Sequence, residues 1–592
     1  MIRPLLVAIA GLAIAAPAAS AHDDASEIFA TNNTAVITDQ HDPRLDKRLN
    51  GFARRVERIV SDGGARPRGS ELLDGVFFDS ALGTTTFERS RVFDVDRASD
   101  DELRGIAETV RRRFLQGSVL TFDPRPGGDA VELDVPRVTA GALRTGLLAD
   151  PEAQERLFGG SVTQDDHLRL VADRGDEAFA RTFAKTIGGD VKRADARYGD
   201  REFVSAATDG RARIEKRTLV LAAGDGDDVV ALRDGRRVQI DFGDDDVVDF
   251  EVRRARFDRV RVDGEGHDRL LVVGTGRGDD YDTSDYSGGE VLEFATGDGE
   301  DSLTARQGPE EVAVDPGAGD DRLVVNSTND DEQSSISGFG DSVFVLADPF
   351  VSVAHAEPTD RLRLNGRGGD DLLSASTAAM KITLSAGDGG GTMFGGPGDD
   401  VLLGGDDFDL VQGGRGDDVI DLGGYLDSTT WRVGDGDDRI DGGGGARNGM
   451  FVFGSDADET FDFAAHGNRL RIGGAASLDV TGIQAFDVLP GSGADVTRIG
   501  DLRPAGVTDI HTSLAATIIT ALGDRSADRI ELAGANRAAT ITGQGGAATV
   551  TGPPVRLQIS HSDGPLDTLA ISGAGSVDRT GLADGVIGLE TD

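Results

Sequence analysis

The sequence predicts a mainly β protein in which short strands stack as the coils of a solenoid, with a small α+β domain in front. Three observations predict it. The nonamers GGPGDDVLL (Gly395 to Leu403), GGDDFDLVQ (Gly404 to Gln412) and GGRGDDVID (Gly413 to Asp421) run head to tail without a gap. From about residue 213 onward, Gly/Asp turns recur between short apolar runs. Before about residue 200 those turns are absent and helical periodicity takes their place.

Each nonamer opens on glycine, puts Asp at its sixth place (Asp400, Asp409, Asp418) and a β-forming aliphatic at its eighth (Leu402, Val411, Ile420). Glycine adopts turn conformations that other residues avoid, so six residues turn and three run straight. A strand of three can bury its aliphatic only against the same residue of another copy, and the copies must stack. Two copies make a coil of eighteen residues. Asp400 and Asp418 then share one edge, while Asp427, next in register, falls under Asp409. Neighbouring strands lie roughly 4.7 to 4.9 Å apart, too close for bare stacked anions, and turn carbonyls freed by glycine point to the same place. All-oxygen ligation in a flexible turn suits a hard cation with more ligands than magnesium accepts, which predicts calcium.

These nonamers resemble the RTX, or hemolysin-type, calcium-binding repeat, whose motif is G-G-x-G-x-D-x-U-x. Copies one and three fit every fixed place; copy two departs where Asp407 stands for the fourth-place glycine. The resemblance implies a right-handed parallel β-roll (β-solenoid) and Ca2+ as the bound ion. It also implies a ligand set: side-chain oxygens of Asp400, Asp409, Asp418 and Asp427, completed by carbonyls near Gly395, Pro397, Gly404, Asp406, Gly413 and Arg415. Asp438, in the related turn VGDGDDRID, joins the candidates. The alternative, a flexible acidic linker, gives no reason for the copies to hold register.

A length of 592 residues allows several domains, and the net charge of -44, from 105 acidic against 61 basic residues, favours cations over nucleic acid or anionic membrane as partners. No cysteine occurs. Disulfides and thiolate metal sites are therefore excluded, and calcium is the obvious staple for a low-aromatic chain outside the cell. Residues 1–21 read as a secretory signal: Arg3, the apolar run Leu5 to Ala16, and Ala19-Ser20-Ala21 as a cleavage site. The run is too short to span a bilayer, so the expectation is a secreted protein with no membrane span. RTX proteins more often leave through an uncleaved C-terminal signal, and here the chain departs from that pattern.

Residues 22–200 form a separate α+β domain of unassigned role. Leu45, Leu49, Phe52, Val56 and Ile59 share one helical face that ends at Ser61-Asp62-Gly63-Gly64. A capping box, Ser99 with Glu102, starts a second helix that turns Leu103, Ile106, Val110 and Phe114 inward and ends at Gly117. Strand patterns cover 75–79, 87–96, 118–123 and 130–135, and further helices are predicted around 142–148 and 177–187.

Beyond it, residues 213–394 repeat the turn loosely, as in AAGDGDDVVAL (Asp228), GTGRGDDYDTS (Asp280), ATGDGEDSLTA (Asp301), DPGAGDDRLVV (Asp321) and LNGRGGDDLLS (Asp371). Asp280, Asp301, Asp321 and Asp341 fall 20 or 21 residues apart, as do Asp438 and Asp458, which predicts a coil of about twenty residues. These copies lose the paired glycines and read as structural turns before ion sites. Residues 395–444 form the nonapeptide core and 445–592 a degenerate C-terminal solenoid, similar to secreted bacterial calcium-binding repeat proteins of unassigned activity.

No His is followed by Glu, so the H-E-x-x-H zinc helix that often accompanies RTX repeats is absent; no Lys follows Gly, which removes the P-loop. Phe339-Gly340-Asp341-Ser342 is similar to the nucleophile block of GDS-type lipases and esterases, yet no His has the Asp three places earlier that this family pairs with it. The function expected is calcium binding coupled to folding, in a scaffold for extracellular matrix or cell-surface contacts. The alternative is a secreted hydrolase or polysaccharide lyase with its site in the N-terminal domain or on a solenoid groove.

Overall fold

The computed structural model describes residues 25–591 except 33–35, 46–48, 81, 97, 158, 207–209, 226–227, 266, 289–290, 377–380, 446, 476, 518, 520–521 and 535. The secretory-signal reading of residues 1–21 lies outside the described residues. The described chain is mainly β. It divides into two units: one reaches Ala231 and adds Gly235–Glu265, and the other takes Leu232–Asp234 and Gly266–Asp592. Residues 213–231 and 235–265, which the sequence places with the repeats, cluster with the first unit.

In the first unit, strands β1 (Ser26–Thr31), β2 (Arg66–Asp79), β3 (Thr84–Asp96), β4 (Ser118–Pro124), β5 (Ala130–Pro136), β6 (Gly159–Thr163), β7 (His167–Asp173) and β8 (Asp195–Ser205) close an antiparallel barrel in the order β1-β3-β2-β6-β7-β5-β8-β4. β2, β3, β4 and β5 contain the four runs with strand patterns in the sequence. Closure is what local patterns do not carry, because β1 pairs with β3 on one side and with β4, through Ile28 and Thr121, on the other.

Helices α1 (Leu49–Asp62) and α2 (Asp100–Phe114) cover one outer face of the barrel. Phe52, Val56 and Ile59 of α1 and Leu103, Ile106, Val110 and Phe114 of α2 pack with Ile28, Phe93, Val95 and Val119. The capping box is present: Ser99 Oγ accepts the Glu102 N–H at 3.3 Å, and the Glu102 carboxylate accepts the Ser99 N–H at 2.8 Å. Helices α3 (Ala140–Ala149), α4 (Pro151–Arg156) and α5 (Glu177–Thr186) bury leucines, alanines and Phe183 with Val131, Leu133, Val135, Leu168 and Leu170 of β5 and β7.

Side chains alternate along a strand, so the intervening positions face the barrel interior, and there the chain places charge. Glu27 and Glu132 are buried. Arg169 donates to Glu132 (Nε to Oε1, 2.8 Å) and to Glu27 (Nη2 to Oε1, 2.9 Å), and Arg197 donates to Glu132 (Nε to Oε2, 2.8 Å) and to Glu27.

The second unit is built mostly from parallel pairs in two long sheets that successive strands enter in turn. Val291–Ala295 pairs with Glu311–Asp315, and Ser302–Ala305 with Arg322–Asn326, at steps of 20 residues (Leu292 with Val312, Leu303 with Leu323). Across the nonamers the step tightens to 18, with Leu402 opposite Ile420 and Val411 opposite Thr429. Leu402, Val411 and Ile420 are buried, as their eighth-place spacing requires. The glycines are needed at the turns: Gly416 has φ 123°, and a Cβ there would lie 2.4 Å from the Gly398 carbonyl oxygen one step back.

Three times an antiparallel meander of three strands is spliced in. In the first, Gln333–Phe339, Ser342–Leu346 and Phe350–Val353 run antiparallel, while the third pairs in parallel with Glu311–Asp315 and the first with Asp371–Ala375. The others span Thr460–Thr481 and Ala538–Ser560. The twenty-residue beat fails here: Asp341 sits at a hairpin tip beside Gly340 (φ 66°), and the residue that follows Asp321 in register is Asp360. No described helix is long and apolar enough to cross a membrane.

Candidate functional site

Asp400, Asp409, Asp418, Asp427 and Asp438 are all between 0 and 3 % exposed. They form two ladders. In one, Asp400 donates its N–H to Asp418 Oδ1 (2.8 Å), and Asp418 donates its own to Asp438 Oδ1 (2.9 Å). In the other, the Asp409 N–H goes to Asp427 Oδ1 (3.0 Å) and the Asp427 N–H to Asn448 Oδ1 (2.9 Å). Two edges with stacked carboxylates were expected, and two are present. The contact between them differs from the stacking argument: a peptide N–H, the positive end of a backbone dipole, stands where the sequence places a cation.

The second oxygens divide. Asp400 Oδ2 accepts the Gly396 N–H at 2.5 Å, and Asp409 Oδ2 accepts the Gly405 N–H at 2.7 Å. Asp418 Oδ2 and Asp427 Oδ2 are buried with no hydrogen-bond partner, as are the Oδ2 atoms of Asp301, Asp321, Asp371 and Asp495 in the looser repeats. A buried anion without a donor is costly. Burial first, and then neighbouring carboxylates, push Asp418 and Asp438 up to about 7; burial pushes Asp400, Asp409 and Asp427 up to about 6.

Gly395, Pro397, Gly404, Asp406, Gly413 and Arg415 lie in the turns between these strands. Three of them use their amides: the Gly395 N–H donates to Gln412 O (2.9 Å), that of Gly404 to Asp421 O (2.8 Å) and that of Arg415 to Gly396 O (3.2 Å). Among the described residues, no donor outside the strand ladders reaches the carbonyl oxygens of these six. Gly413 packs so closely that a Cβ there would sit 2.2 Å from Asp418 Oδ2. Among the described residues no three Asp, Glu or His side chains converge on one point.

The ladders extend beyond the nonamers through residues that spacing alone misplaces. The Asp279 N–H, not that of Asp280, donates to Asp301 Oδ1 (2.7 Å), and Glu459, not Asp458, donates its N–H to Asp495 Oδ1 (2.8 Å). The ladder member precedes its strand at Asp301, Asp321 and Asp495 but opens it at Asp371, and sequence alone leaves a choice of one residue.

A second constellation has no sequence signal. On three neighbouring parallel strands, Asp487 Oδ1 lies 2.8 Å from His511 Nδ1, and His511 Nε2 lies 2.9 Å from Ser560 Oγ. That is the connectivity of a nucleophile, a base and its orienting acid. The Asp487 and His511 side chains are 40 % and 38 % exposed, so water screens the pair.

No protein-family model matches the chain, and no curated protein matches it in sequence.

Proposed function

We propose that the second unit is a calcium-binding β-solenoid of the RTX type in an exported protein, that cation uptake and cohesion of the coils are one reaction, and that the protein serves as a scaffold. The observation that carries this reading is Asp418 Oδ2: a carboxylate oxygen buried without a donor, in a turn where the Gly413 and Arg415 carbonyls accept no backbone N–H among the described residues. Hard oxygens of both kinds suit calcium. Asp418 and Asp427 would hold the ion through the free oxygen, with Asp400, Asp409 and Asp438 and the carbonyls of Gly395, Pro397, Gly404, Asp406, Gly413 and Arg415 completing the shells. The ion supplies the positive charge that neutralises the edge; the residues supply the register. At free calcium a hundred times the dissociation constant, each coupled site adds about 2.7 kcal/mol, and extracellular modules bind at roughly 0.1 to 1 mM. The test is circular dichroism with small-angle scattering across a calcium titration, on wild type and on Asp418→Asn with Asp427→Asn. Equal dimensions and equal spectra in chelator and in millimolar calcium sink the reading.

A hydrolase is the second reading, favoured by the Ser560–His511–Asp487 chain alone. A fluorophosphonate probe checks it: labelling at Ser560 that vanishes in His511→Ala supports it, and no labelling removes it.

A further inference from the structure

In a chain of net charge -44, the first unit holds a cavity of the opposite chemistry. It measures about 750 Å³, opens to solvent, and is lined by the C-terminal parts of α1 and α2, the strand Arg211–Glu215 and the hairpin formed by Arg237–Phe242 and Phe250–Arg253. Nine arginines line it against two carboxylates, Asp62 and Glu215.

The positive charge is answered only in part: Arg44, Arg113, Arg213 and Arg217 have carboxylates within ion-pair distance. Arg237 and Arg253 stand directly opposite each other in the antiparallel hairpin, a placement in which like charges repel. Among the described residues neither of them, nor Arg58 on α1, forms an ion pair. Arg113 enters the same space with its Nε buried and without a hydrogen-bond acceptor, the Glu251 carboxylate being 3.7 Å away. Burial, and then the Arg113 guanidinium, pull the Arg237 pKa below its ordinary value. Other lining arginines are already spoken for: Arg213 pairs with Asp263, and Arg217 with Asp258.

A guanidinium presents a planar fork that matches two oxygens of a phosphate or sulfate. One such group occupies one or two forks, whereas this cavity offers several that lack carboxylates. Its volume lies in the range of sites for small organic ligands, and Ile59, Phe114 and Ile214 give it apolar wall. We propose that the cavity binds a small polyanion bearing two or more tetrahedral oxyanion groups, phosphate or sulfate, on a compact frame. This stands apart from the calcium reading, since it uses residues of the other unit and the opposite charge.

Isothermal titration of the full chain tests it, at about 0.15 M salt in calcium-containing buffer, with tripolyphosphate and sucrose octasulfate as separate probes and blank heats subtracted. We expect one-to-one binding of at least one probe, and the probe that binds tells phosphate from sulfate. Arg237→Gln with Arg253→Gln weakens it by roughly tenfold or more, while Arg471→Gln, exposed on the other unit, leaves it unchanged. In the ligand-free protein, Arg237→Gln raises the unfolding temperature, because it relieves repulsion; a purely structural Arg237 lowers it. If that variant is destabilised, Arg58→Glu, exposed on α1, decides. Failure of both probes to bind the folded chain, or unchanged affinity in Arg58→Glu, overturns the proposal.

Discussion

Both units bury carboxylates, and they neutralise them differently. In the barrel, Glu27 and Glu132 are answered by Arg169 and Arg197 from strands closed around them. In the repeats, Asp418 and Asp438 are each answered by a peptide N–H and Asp400 by two, those of Ile382 and Gly396, while the second oxygens of Asp418 and Asp427 are left with nothing. Composition follows the same division. Of the chain's 61 basic and 105 acidic residues, 40 and 49 lie before residue 266, leaving 21 and 56 beyond it. The acidic excess is nine residues before residue 266 and thirty-five beyond it. The supply of side-chain cations is therefore what separates the two regions.

Removing divalent ions tests that separation most severely. In chelator the second unit should expand and lose much of its β signal, while the helical signal of α1 to α5 persists, as read by circular dichroism and scattering. Parallel loss in both units breaks the comparison. Next in size is Glu132→Gln. It strands buried guanidinium charge and should cost the first unit about 3 to 5 kcal/mol in a denaturant melt, with the calcium midpoint of the second unit unmoved.

Proton binding sharpens the contrast further. The ladder carboxyls titrate near 6 to 7 when folded, against the ordinary value of 3.8. The folded chain then holds more protons than the unfolded one in that window. This stabilisation is full below about pH 4 and is lost as pH rises to about 7. Metal-free protein should therefore be more compact at pH 5 than at pH 8, and calcium should restore compactness at pH 8. Scattering at the two pH values reads it. The smallest effect is Ser99→Ala, which removes an N-cap acceptor and should cost the first unit about 1 kcal/mol with no change in the calcium response.

What the sequence carries is what neighbouring residues decide. The capping box at Ser99 and Glu102, the inward row Leu103, Ile106, Val110 and Phe114, and the eighth-place aliphatics are local patterns, and all stand where their spacing puts them. Three features depend on partners far away in the chain and leave no local trace: closure of the barrel through Ile28 and Thr121, the charged interior of that barrel, and the spliced meanders. In the candidate site the ladder aspartates were legible because glycine fixes the turn. Which of their oxygens lacks a donor was not, because that depends on whether an amide such as that of Gly396 or Gly405 turns inward.

The meanders have a consequence for how such a chain finds its structure. Nonapeptide copies are nearly interchangeable, so a strand can dock one copy out of place and still bury an aliphatic. A hairpin such as Gln333–Phe339 with Ser342–Leu346 joins partners only a few residues apart and forms in about 1 to 10 μs, whereas strand pairs separated by 18 to 39 residues are the non-local contacts that slow folding. Its sequence is unlike the repeats, so it admits a single alignment. Three such hairpins, spread along the unit, would then give the monotonous stretches between them fixed marks from which register is counted.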